Sequence, residues 1–367
     1  MKTKVLFVAS EFAPGMIPFA LTIIKTLGND ERFDVYAVVV NSGRKSYAAA
    51  LEGMAKGHLV QIEYPSSKIL KLLYKFFPVS VIRAVRRLES GIKPDILHLL
   101  TGDFTLAPYL FLCRPKRNWF YTVHDLHPHE VSSKKITDVF FHKYVVWGYK
   151  RLRDNIANLT TSSKTQYKEL KRIYPNKHVS FTHFPSLLTQ QIANGSKQVC
   201  ELEHEKDYIL FFGTVDEYKG VDLLIKAYEG SPRLQRLKLV IAGRGRDTFN
   251  SNPNVIRINR FIDDAEVKDL FSKALFVVYP YRSATMSGVL SVAYYFKKKV
   301  LLSSIPFFID NATPATVFFK RGDVADLQVQ MEGLAVTARN YKDEYGCYDK
   351  IYSEETLVED YKKLYSL

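Results

Sequence analysis

The sequence has few cysteines, few tryptophans and no long hydrophobic run. Its 367 residues include two tryptophans and three cysteines, Cys113, Cys200 and Cys347. The cysteine spacing matches no zinc motif and three thiols cannot all pair, which disfavours a disulfide scaffold and favours a reducing compartment. No apolar stretch approaches the roughly 20 residues that span a bilayer, and no signal-peptide pattern precedes the first strand-like run. These absences predict a cytoplasmic protein.

Acidic residues are also in short supply. The chain carries 38 Asp and Glu against 52 Lys and Arg, which gives a net charge of +14. Residues 66–88 contain six cations and no carboxylate, and Pro78 divides them into two short amphipathic helices. These cations are Lys68, Lys71, Lys75, Arg83, Arg86 and Arg87. A second basic group, Lys143, Lys150, Arg151 and Arg153, surrounds Tyr144, Trp147 and Tyr149.

Two interpretations of the basic helices stay open. Basic amphipathic helices with aromatic residues suit an anionic membrane surface, which would place the protein peripherally on the inner face of the membrane. Alternatively, the apolar faces pack on a sheet and the cations are only solvated. No nucleic-acid recognition motif accompanies the charge, so we predict no nucleic-acid partner.

Apolar strand-like runs alternate with helical patterns along the whole chain. The runs are 4–10, 34–40, 95–100, 119–124, 159–163 and 179–184 in the first half, and 208–213, 237–243, 255–262, 275–281, 300–304 and 316–319 in the second. Continuous Val, Ile, Leu and Phe with little alternation indicate strands covered on both faces. The pattern and the length predict an α/β protein with two doubly wound parallel-sheet domains.

Two segments have the pattern of a phosphate site. Residues 283–289 place small hydroxyl side chains and a glycine between an apolar run and a helix-like run, where unpaired backbone N–H groups attract anions. Residues 208–224 combine a strand, a turn at Gly213 and Lys219 at the mouth of the next helix. A lysine there can neutralise a leaving phosphate without a metal. Each pattern alone is more often a tight connection or a solvated lysine.

The order of these and further motifs resembles the GT-B glycosyltransferases, most closely the family 4 retaining enzymes, in a variant with a Ser-Gly turn. The matching segments are Pro14-Gly15-Met16, Pro94-Asp95-Ile96-Leu97-His98, Thr122-Val123-His124-Asp125, Ala242-Gly243-Arg244-Gly245, the turn Ser283–Val289 and the tail Tyr352–Tyr365. The resemblance implies two Rossmann-like domains facing across a cleft. It implies an acceptor domain over 1–184, a linker over 185–206, a nucleotide-sugar domain over 207–345, and a helix over 346–367 that returns to the first domain.

The implied activity is transfer of a sugar from a nucleotide-diphosphate sugar to a hydroxyl of a lipid-linked glycan acceptor in surface polysaccharide synthesis, with retention and no metal or other cofactor. The resemblance assigns catalytic roles to His124 and Lys219. It assigns the acceptor side to Asp125 and His127, and the nucleobase region to Phe261 and Ile262. The implied donor and diphosphate contacts are Gly15, Gly213, Thr214, Lys219, Gly243, Arg244, Arg282, Ser283, Thr285, Ser287, Gly288 and Val289.

The sequence departs from the family at the donor site. The family's pair of glutamates would fall at Ala284 and Val292, and Thr214 stands in place of a frequent arginine. Arg244 or Arg282 could supply the missing cation. Two alternatives therefore stay open: a non-catalytic GT-B scaffold that partners another transferase, and a sugar-nucleotide epimerase or hydrolase on the same fold.

The segment from His124 to Glu130 contains three histidines and two carboxylates, enough ligands for zinc. Pro128 interrupts the turn, so the imidazoles need not converge, and no distant motif completes a site. We predict no metal site there.

Overall fold

The computed structural model describes residues 2–10, 17–41, 51, 54, 58–127, 136–245, 252–284 and 287–366. The chain divides into two units. The first unit comprises Met1–Pro185 with Glu354–Leu367, and the second comprises Ser186–Ser353.

The first unit contains a seven-stranded parallel sheet in the order β3-β2-β1-β4-β5-β6-β7. Its strands are β1 Thr3–Ala9, β2 Phe33–Asn41, β3 Leu59–Glu63, β4 Ile96–Leu99, β5 Trp119–Thr122, β6 Asn158–Thr161 and β7 His178–Phe181. Its helices are α1 Ile17–Asn29, α2 Lys68–Phe76, α3 Val79–Ile92, α4 Ile136–Asn155 and α5 Lys164–Ile173, with a 3-10 helix at Phe104–Phe111. The strands β1, β4 and β5 are almost fully buried, because helices cover both faces of the sheet.

The second unit contains a six-stranded parallel sheet in the order β10-β9-β8-β11-β12-β13. Its strands are β8 Tyr208–Phe212, β9 Leu239–Ala242, β10 Val255–Ile258, β11 Ala274–Tyr279, β12 Val300–Ser303 and β13 Thr316–Phe319. Its helices are α6 Gln190–Asn194, α7 Val221–Glu229, α8 Asp264–Lys273, α9 Val289–Tyr295, α10 Pro306–Asp310, α11 Val324–Thr337 and α12 Cys347–Tyr352. A short 3-10 helix, Glu217–Lys219, precedes α7.

The prediction of two doubly wound parallel sheets is confirmed, and each strand-like run of the sequence is a strand. The sequence pattern missed β3, which pairs only with β2 at the edge of its sheet. Since an edge strand is half solvated, β3 tolerates Gln61 and Glu63 and lacks the continuous apolar run that marks the other strands.

The unit boundaries differ from the expected linker. Residues 186–206 belong to the second unit, where the Lys197 N–H donates to the Ala265 carbonyl at 3.2 Å and the Val199 N–H donates to Asp269 at 3.0 Å. Val199 and Leu202 are fully buried. Helix α12 also belongs to the second unit, so the part of the tail that joins the first unit is α13, Glu354–Tyr365.

His98 fastens α13 to the first sheet. It is fully buried in β4, and its ring nitrogens lie 2.7 Å from the Tyr365 hydroxyl and 2.8 Å from the Thr122 hydroxyl. Burial lowers the pKa of His98 to about 3, so the ring is neutral at pH 7. His98 is therefore a satisfied core residue.

Both sheets reverse their strand order once, between β1 and β4 in the first unit and between β8 and β11 in the second. Connections on the two sides of such a point run in opposite directions, which leaves a crevice beyond the carboxyl ends of the strands. In the second unit, the residues that follow β8 and β11 border this crevice.

Candidate active site

Two glycine turns follow β8 and β9. Gly213 has φ +138° and Gly243 has φ +142°, both in a region that side chains with a Cβ rarely adopt. The Gly213 N–H donates to the Ala242 carbonyl at 2.9 Å, and a Cβ on Gly243 would overlap the Gly213 carbonyl oxygen. The two turns thus approach each other as closely as their backbones permit, and both positions require glycine.

Lys219 lies at the first of these turns. Its side chain enters from the 3-10 helix, leaving the residue only 8% exposed, and a Cβ on Gly213 would lie 3.2 Å from the ammonium nitrogen. The ammonium donates to the Thr214 hydroxyl at 2.8 Å, and that hydroxyl donates to Asp216 at 2.7 Å. The buried Lys219 cation is therefore held against the backbone turn at Gly213.

The protein environment makes this ammonium easier to deprotonate. Burial lowers the pKa of Lys219 to about 8, and the nearby Asp216 carboxylate acts in the opposite direction. The ammonium is still mostly charged at pH 7, and because it is buried it has few hydration waters. An arriving anion would meet little competition from solvent.

Tyr281 also lies beside the ammonium, with its ring centroid 5.6 Å from the Lys219 nitrogen. The residue is 1% exposed, and its hydroxyl forms no hydrogen bond of ordinary geometry with any residue that the structure describes. Burial raises the pKa of Tyr281, and a weak hydrogen-bond interaction with the Ser287 side chain acts in the opposite direction. A neutral hydroxyl thus stands beside Lys219 as a ready donor.

The sequence analysis did not assign Tyr281 to the site. It stands two residues after the end of β11, and β11 is the strand that neighbours β8. Its position just beyond the end of a buried strand that neighbours β8, the strand that precedes Lys219, is the signal that could have identified it.

Arg282, expected to supply a diphosphate cation, is engaged elsewhere. Its guanidinium makes a two-pronged ion pair with Asp222 in α7, at 2.7 and 2.6 Å, and donates to the Glu217 carbonyl at 2.8 Å. The Arg282 N–H also donates to the Tyr218 carbonyl at 2.7 Å. Arg282 therefore ties the loop after β11 to the segment that carries Lys219, a positioning role that differs from the predicted contact.

We expect Arg282→Met and Asp222→Asn each to weaken, by a small amount, binding of the nucleotide diphosphate that the resemblance implies. Both side chains are more than a third exposed, so loss of the pair should cost only about 0.5–1 kcal/mol. The double variant should then be no worse than either single one. Isothermal titration of the three variants checks this. A much larger loss for Arg282→Met alone would restore a direct contact with the diphosphate.

The remaining donor residues divide between the described and undescribed parts of the chain. Arg244 and Thr214 are exposed beside the glycine turns. Ser283 is half-buried after β11. Gly15 and Thr285 lie outside the described residues.

The turn before α9 does not need its glycine for backbone reasons. Gly288 has φ −82°, an ordinary value, and precedes the seven-residue helix that begins at Val289. Its carbonyl accepts from the buried Ser291 hydroxyl at 2.7 Å. Ser287 and Val289 are half-buried. Val292, where a family glutamate would fall, is 4% exposed and belongs to the core.

The two residues expected near the nucleobase differ in exposure. Phe261 is 64% exposed, whereas Ile262 is 4% exposed and packs in the core of the second unit. Between them and β10, Arg260 pairs with Glu201 at 2.8 Å and Glu266 at 2.7 Å, which holds this loop in place. Of the two, Phe261 presents a side chain that could stack on a base.

His124 follows β5 in the first unit. Its Nε2 donates to the Leu100 carbonyl at 2.6 Å, and its ring packs edge-on against Phe19 at 4.7 Å. The Nδ1 atom is buried and has no hydrogen-bond partner in the described ranges. Although part of the residue is accessible, burial lowers the pKa of His124 to about 4, so the ring is neutral at pH 7. His124 therefore offers a neutral ring with a hydrogen-bond acceptor at this position.

The other two residues of the predicted acceptor side lie near His124 in sequence but differ in setting. Asp125 is half-buried. His127 is exposed, and its Nε2 lies 2.9 Å from Glu169 in α5. His129 and Glu130 lie outside the described residues. Among the residues that are described, no cluster of His, Cys, Asp and Glu could hold a metal ion.

Asp103 is a second residue that the sequence analysis missed. It is buried where β1 and β4 diverge, and accepts from the Ser10 N–H and the Thr101 N–H at 2.7 and 2.9 Å. The hydroxyls of Ser10 and Thr101 donate to the same carboxylate. Burial raises the pKa of Asp103 to about 6 despite these bonds. Asp103 thus joins the loops after β1 and β4.

The second unit is the part of the chain that matches a family of known proteins. Residues 206–335 match the family model described as glycosyl transferases group 1, a match of less than half of the chain. No curated protein is significantly similar. Within the ranges that can be described, no helix has both the length and the apolar character to cross a bilayer.

Solved structures share the fold over almost the whole chain. Anabaena HepE in complex with UDP and glucose is 12% identical, with a TM-score of 0.66 and complete coverage of both chains. Sucrose-phosphate synthase from Thermosynechococcus elongatus is 14% identical, with a TM-score of 0.67 over 100% of this chain and 98% of that one. WaaG, a glycosyltransferase involved in lipopolysaccharide biosynthesis, is 14% identical, with a TM-score of 0.59 over 94% and 96%. These likenesses show a GT-B glycosyltransferase fold.

Proposed function

We propose that the chain is a glycosyltransferase that uses a nucleotide-diphosphate sugar. The observation that carries the proposal is the buried Lys219 ammonium, held against the open Gly213 turn at the strand-order reversal of the second sheet. Ligands of doubly wound sheets lie at such points. The family match over residues 206–335 covers this site, and the UDP complex of HepE shows that a related fold binds a nucleotide diphosphate.

The proposed reaction breaks the bond between the sugar C1 and the diphosphate oxygen and forms a bond between C1 and an acceptor hydroxyl oxygen. The acceptor hydroxyl attacks C1 on the face from which the diphosphate leaves, so the configuration at C1 is retained. The acceptor proton passes to the leaving phosphate. Negative charge accumulates on the diphosphate as it leaves. Lys219 and the Tyr281 hydroxyl are placed to stabilise that charge, which a preorganised site does without reorganisation.

His124 is proposed to position a substrate hydroxyl. Its neutral ring has a buried Nδ1 acceptor without a partner in the described residues, and an unpaired buried acceptor favours a ligand donor. Asp125 and His127 are proposed to lie on the acceptor side. Arg244, Thr214 and the turn at Ser283, Ser287 and Gly288 remain proposed donor contacts, because they surround Lys219 in sequence and sheet order.

The finer proposal is transfer of a hexose, with UDP-sugars as the first donors to test, since HepE has been crystallised with UDP and UDP-glucose. We propose a lipid-linked glycan acceptor in surface polysaccharide synthesis, because WaaG shares the fold. The transfer is proposed to need no metal, since Lys219 supplies the positive charge beside the leaving group.

A non-catalytic scaffold is the second candidate, favoured by Ala284 and Val292. The buried Val292 cannot contact a ribose from the core, so one donor clamp of the family is lost. A non-catalytic scaffold, however, has no need for a buried ammonium. Burying a charge lowers the stability of the fold, so the buried Lys219 favours a site that binds an anion.

Thermal unfolding with UDP-, GDP-, ADP- and dTDP-sugars tests the proposed function. We expect one nucleotide series to raise the midpoint, because a ligand at 100 times its Kd stabilises the folded state by about 2.7 kcal/mol. Mass spectrometry of reactions with that donor and a pooled glycan acceptor should show a sugar adduct. Binding without transfer to any acceptor would favour the scaffold. No binding of any donor would contradict both.

A further inference from the structure

Helix α2 presents most of its apolar residues to solvent. The exposed fractions are 73% for Ile69, 55% for Leu70, 56% for Leu72, 59% for Leu73 and 44% for Phe76. Tyr74 alone is buried among the residues of this helix. The helix is nonetheless well formed, since the Ser67 hydroxyl caps it by accepting from the Leu70 N–H at 3.2 Å.

The next helix shows what ordinary packing looks like. In α3, Val81, Ile82 and Val85 are buried, so its apolar face packs in the first unit. The two basic helices that Pro78 separates therefore have different roles. The packed-surface interpretation holds for α3, whereas four apolar side chains of α2 stay more than half exposed among the described residues: Ile69, Leu70, Leu72 and Leu73.

An aromatic row continues the apolar surface of α2 onto α4. The Tyr144 hydroxyl donates to the Phe76 carbonyl at 3.2 Å, and the two rings lie 4.8 Å apart. Tyr144 stacks on Trp147 at 5.6 Å, and Trp147 stacks on Phe111 at 6.2 Å. Phe111 and Leu112 are 65% and 67% exposed. One continuous surface thus joins three chain segments.

Gly148 allows this row to form. It is buried in α4, and a Cβ there would lie 2.9 Å from the Phe104 carbonyl oxygen. Since only glycine permits that approach, α4 packs closely on the 3-10 helix that ends at Phe111. The neighbouring Trp147 is brought beside Phe111 as a result.

Cations border the same surface. Lys75 lies 4.4 Å from the Phe141 ring centroid and Arg151 lies 4.0 Å from that of Phe111. Three further cations are exposed and lie within a few positions of residues of this surface: Lys68, Arg114 and Lys143. Lys71 is half-buried over the Tyr64 ring. Positive charge therefore accompanies the exposed apolar side chains, which is the combination that an anionic lipid interface complements.

We propose that this docking surface binds an anionic lipid bilayer. The docking surface comprises Ile69, Leu70, Leu72, Leu73, Phe76, Phe111, Leu112, Tyr144 and Trp147, with Lys68, Lys71, Lys75 and Arg151. Helix α2 is about 14 Å long, so it lies in the interface and does not cross it. Its apolar side enters the acyl boundary, while Tyr144 and Trp147 sit at the headgroup level.

This proposal does not require the proposed activity, although a lipid-linked acceptor would be presented at the same interface. Cosedimentation of the full chain tests it, with vesicles of phosphatidylcholine alone and with about one third phosphatidylglycerol. We expect binding to the anionic vesicles only. Binding should weaken as salt approaches 1 M, where the Debye length falls to about 3 Å.

Two sets of variants test the chemistry of the surface. Neutralising three cations, Lys68→Gln, Lys71→Gln and Lys75→Gln, should lower the partition coefficient about 100-fold, since each cation near the surface contributes about fivefold. The matched control is Lys168→Gln, Lys171→Gln and Arg172→Gln on α5, where all three residues are exposed. It removes the same charge from the first unit and should retain most of the binding.

The apolar set replaces Ile69, Leu72 and Leu73 with glutamine, which keeps helix propensity. We expect at least about tenfold weaker binding, because the apolar contact with the acyl boundary is lost. Its control is Val329→Gln with Val336→Gln on α11, which are 62% and 73% exposed. Thermal unfolding of every variant confirms that the fold survives.

Three results would overturn the proposal. The first is equal sedimentation with neutral and anionic vesicles, and the second is undiminished binding of both α2 variants. The third is a dimer of the unmodified chain in analytical ultracentrifugation that the apolar α2 variant dissociates, because a second copy would then occupy the surface.

Discussion

Replacing Lys219 with methionine is expected to lower kcat about 10²- to 10³-fold with the donor that the nucleotide panel identifies. Losing one preorganised electrostatic contact with the charge that develops in the transition state costs about 2.7–4 kcal/mol of barrier. Methionine keeps much of the volume of the buried chain, so the turn at Gly213 should keep its shape. Steady-state kinetics of the purified variant measures the effect.

The same replacement is expected to stabilise the unliganded protein at pH 7. The pKa of Lys219 falls from 10.5 to about 8 on folding, a difference worth about 3 kcal/mol against the charged folded state. Loss of the hydrogen bond to Thr214 offsets about 1 kcal/mol of that gain. The net gain of about 2 kcal/mol should appear in denaturant unfolding.

The pH dependence of that gain has a definite sign. Between about pH 8 and 10.5 the unfolded lysine still binds a proton that the folded one has lost, so the unmodified protein becomes more stable as pH rises through this window. The advantage of Lys219→Met should therefore be greatest below pH 8 and disappear before pH 10.5, where only the loss of the hydrogen bond to Thr214 remains.

Lys226→Met is the matched control, since Lys226 is exposed in α7, seven positions after Lys219. It should leave both kcat and stability unchanged. Unchanged turnover in a folded Lys219→Met protein would remove Lys219 from the chemistry, while the stability result would still stand on burial alone.

Gly220→Ala is expected to destabilise the second unit by more than about 3 kcal/mol. Gly220 has φ +65°, and a Cβ there would overlap the carbonyl oxygen of Pro280. A left-handed alanine costs about 1–2 kcal/mol by itself, and the backbone overlap adds to it because a carbonyl cannot swing aside as a side chain can. Urea unfolding gives the difference, and nucleotide titration should show weaker binding because Lys219 is the preceding residue.

Gly322→Ala separates the two contributions. Gly322 has φ +79°, and no atom of the described residues lies within 4 Å of the point that a Cβ would occupy. Only the conformational cost of about 1–2 kcal/mol therefore applies. If both alanine variants lower the free energy of unfolding by the same amount, the close approach of Gly220 to Pro280 contributes nothing to stability. The contact between this segment and the loop after β11 then depends on Arg282 alone.

The strands could be predicted from the sequence because both sheets are covered by helices. Continuous apolar runs such as Leu275–Tyr279 have no other stable placement in a chain of this kind. Strand β3 could not be predicted in this way, since its edge position permits Glu63 to stay solvated and the strand has no continuous apolar run. Local pattern thus identified the interior strands and failed at the periphery.

The site could be predicted only in part. The sequence indicates which residues lie near a turn, but it does not show which of their polar groups already have a hydrogen-bond or ion-pair partner. Lys219 was expected, and its position is buried as an anion-binding cation would need. Arg282 was expected for the same reason, yet Asp222, sixty positions away, pairs with it. Tyr281 was overlooked because an aromatic residue at a strand end is usually core. Only the three-dimensional arrangement shows that its hydroxyl makes no hydrogen bond of ordinary geometry among the described residues.

The exposed face of α2 could not be predicted for a related reason. Its hydrophobic spacing is the same that α3 uses for packing. Amphipathic periodicity shows that a helix has an apolar side, but what covers that side depends on the neighbouring elements.

The attachment of α13 to β4 through His98 and Tyr365 has a consequence for how the chain acquires its structure. The second unit is formed by one uninterrupted stretch, Ser186–Ser353, whereas the first unit needs segments from both sides of it. During synthesis the second unit can complete its sheet while the first unit still lacks its last helix. His98 can form its hydrogen bond with Tyr365 only after the chain has grown by a further 267 residues. The unit that begins first is therefore the one that finishes last.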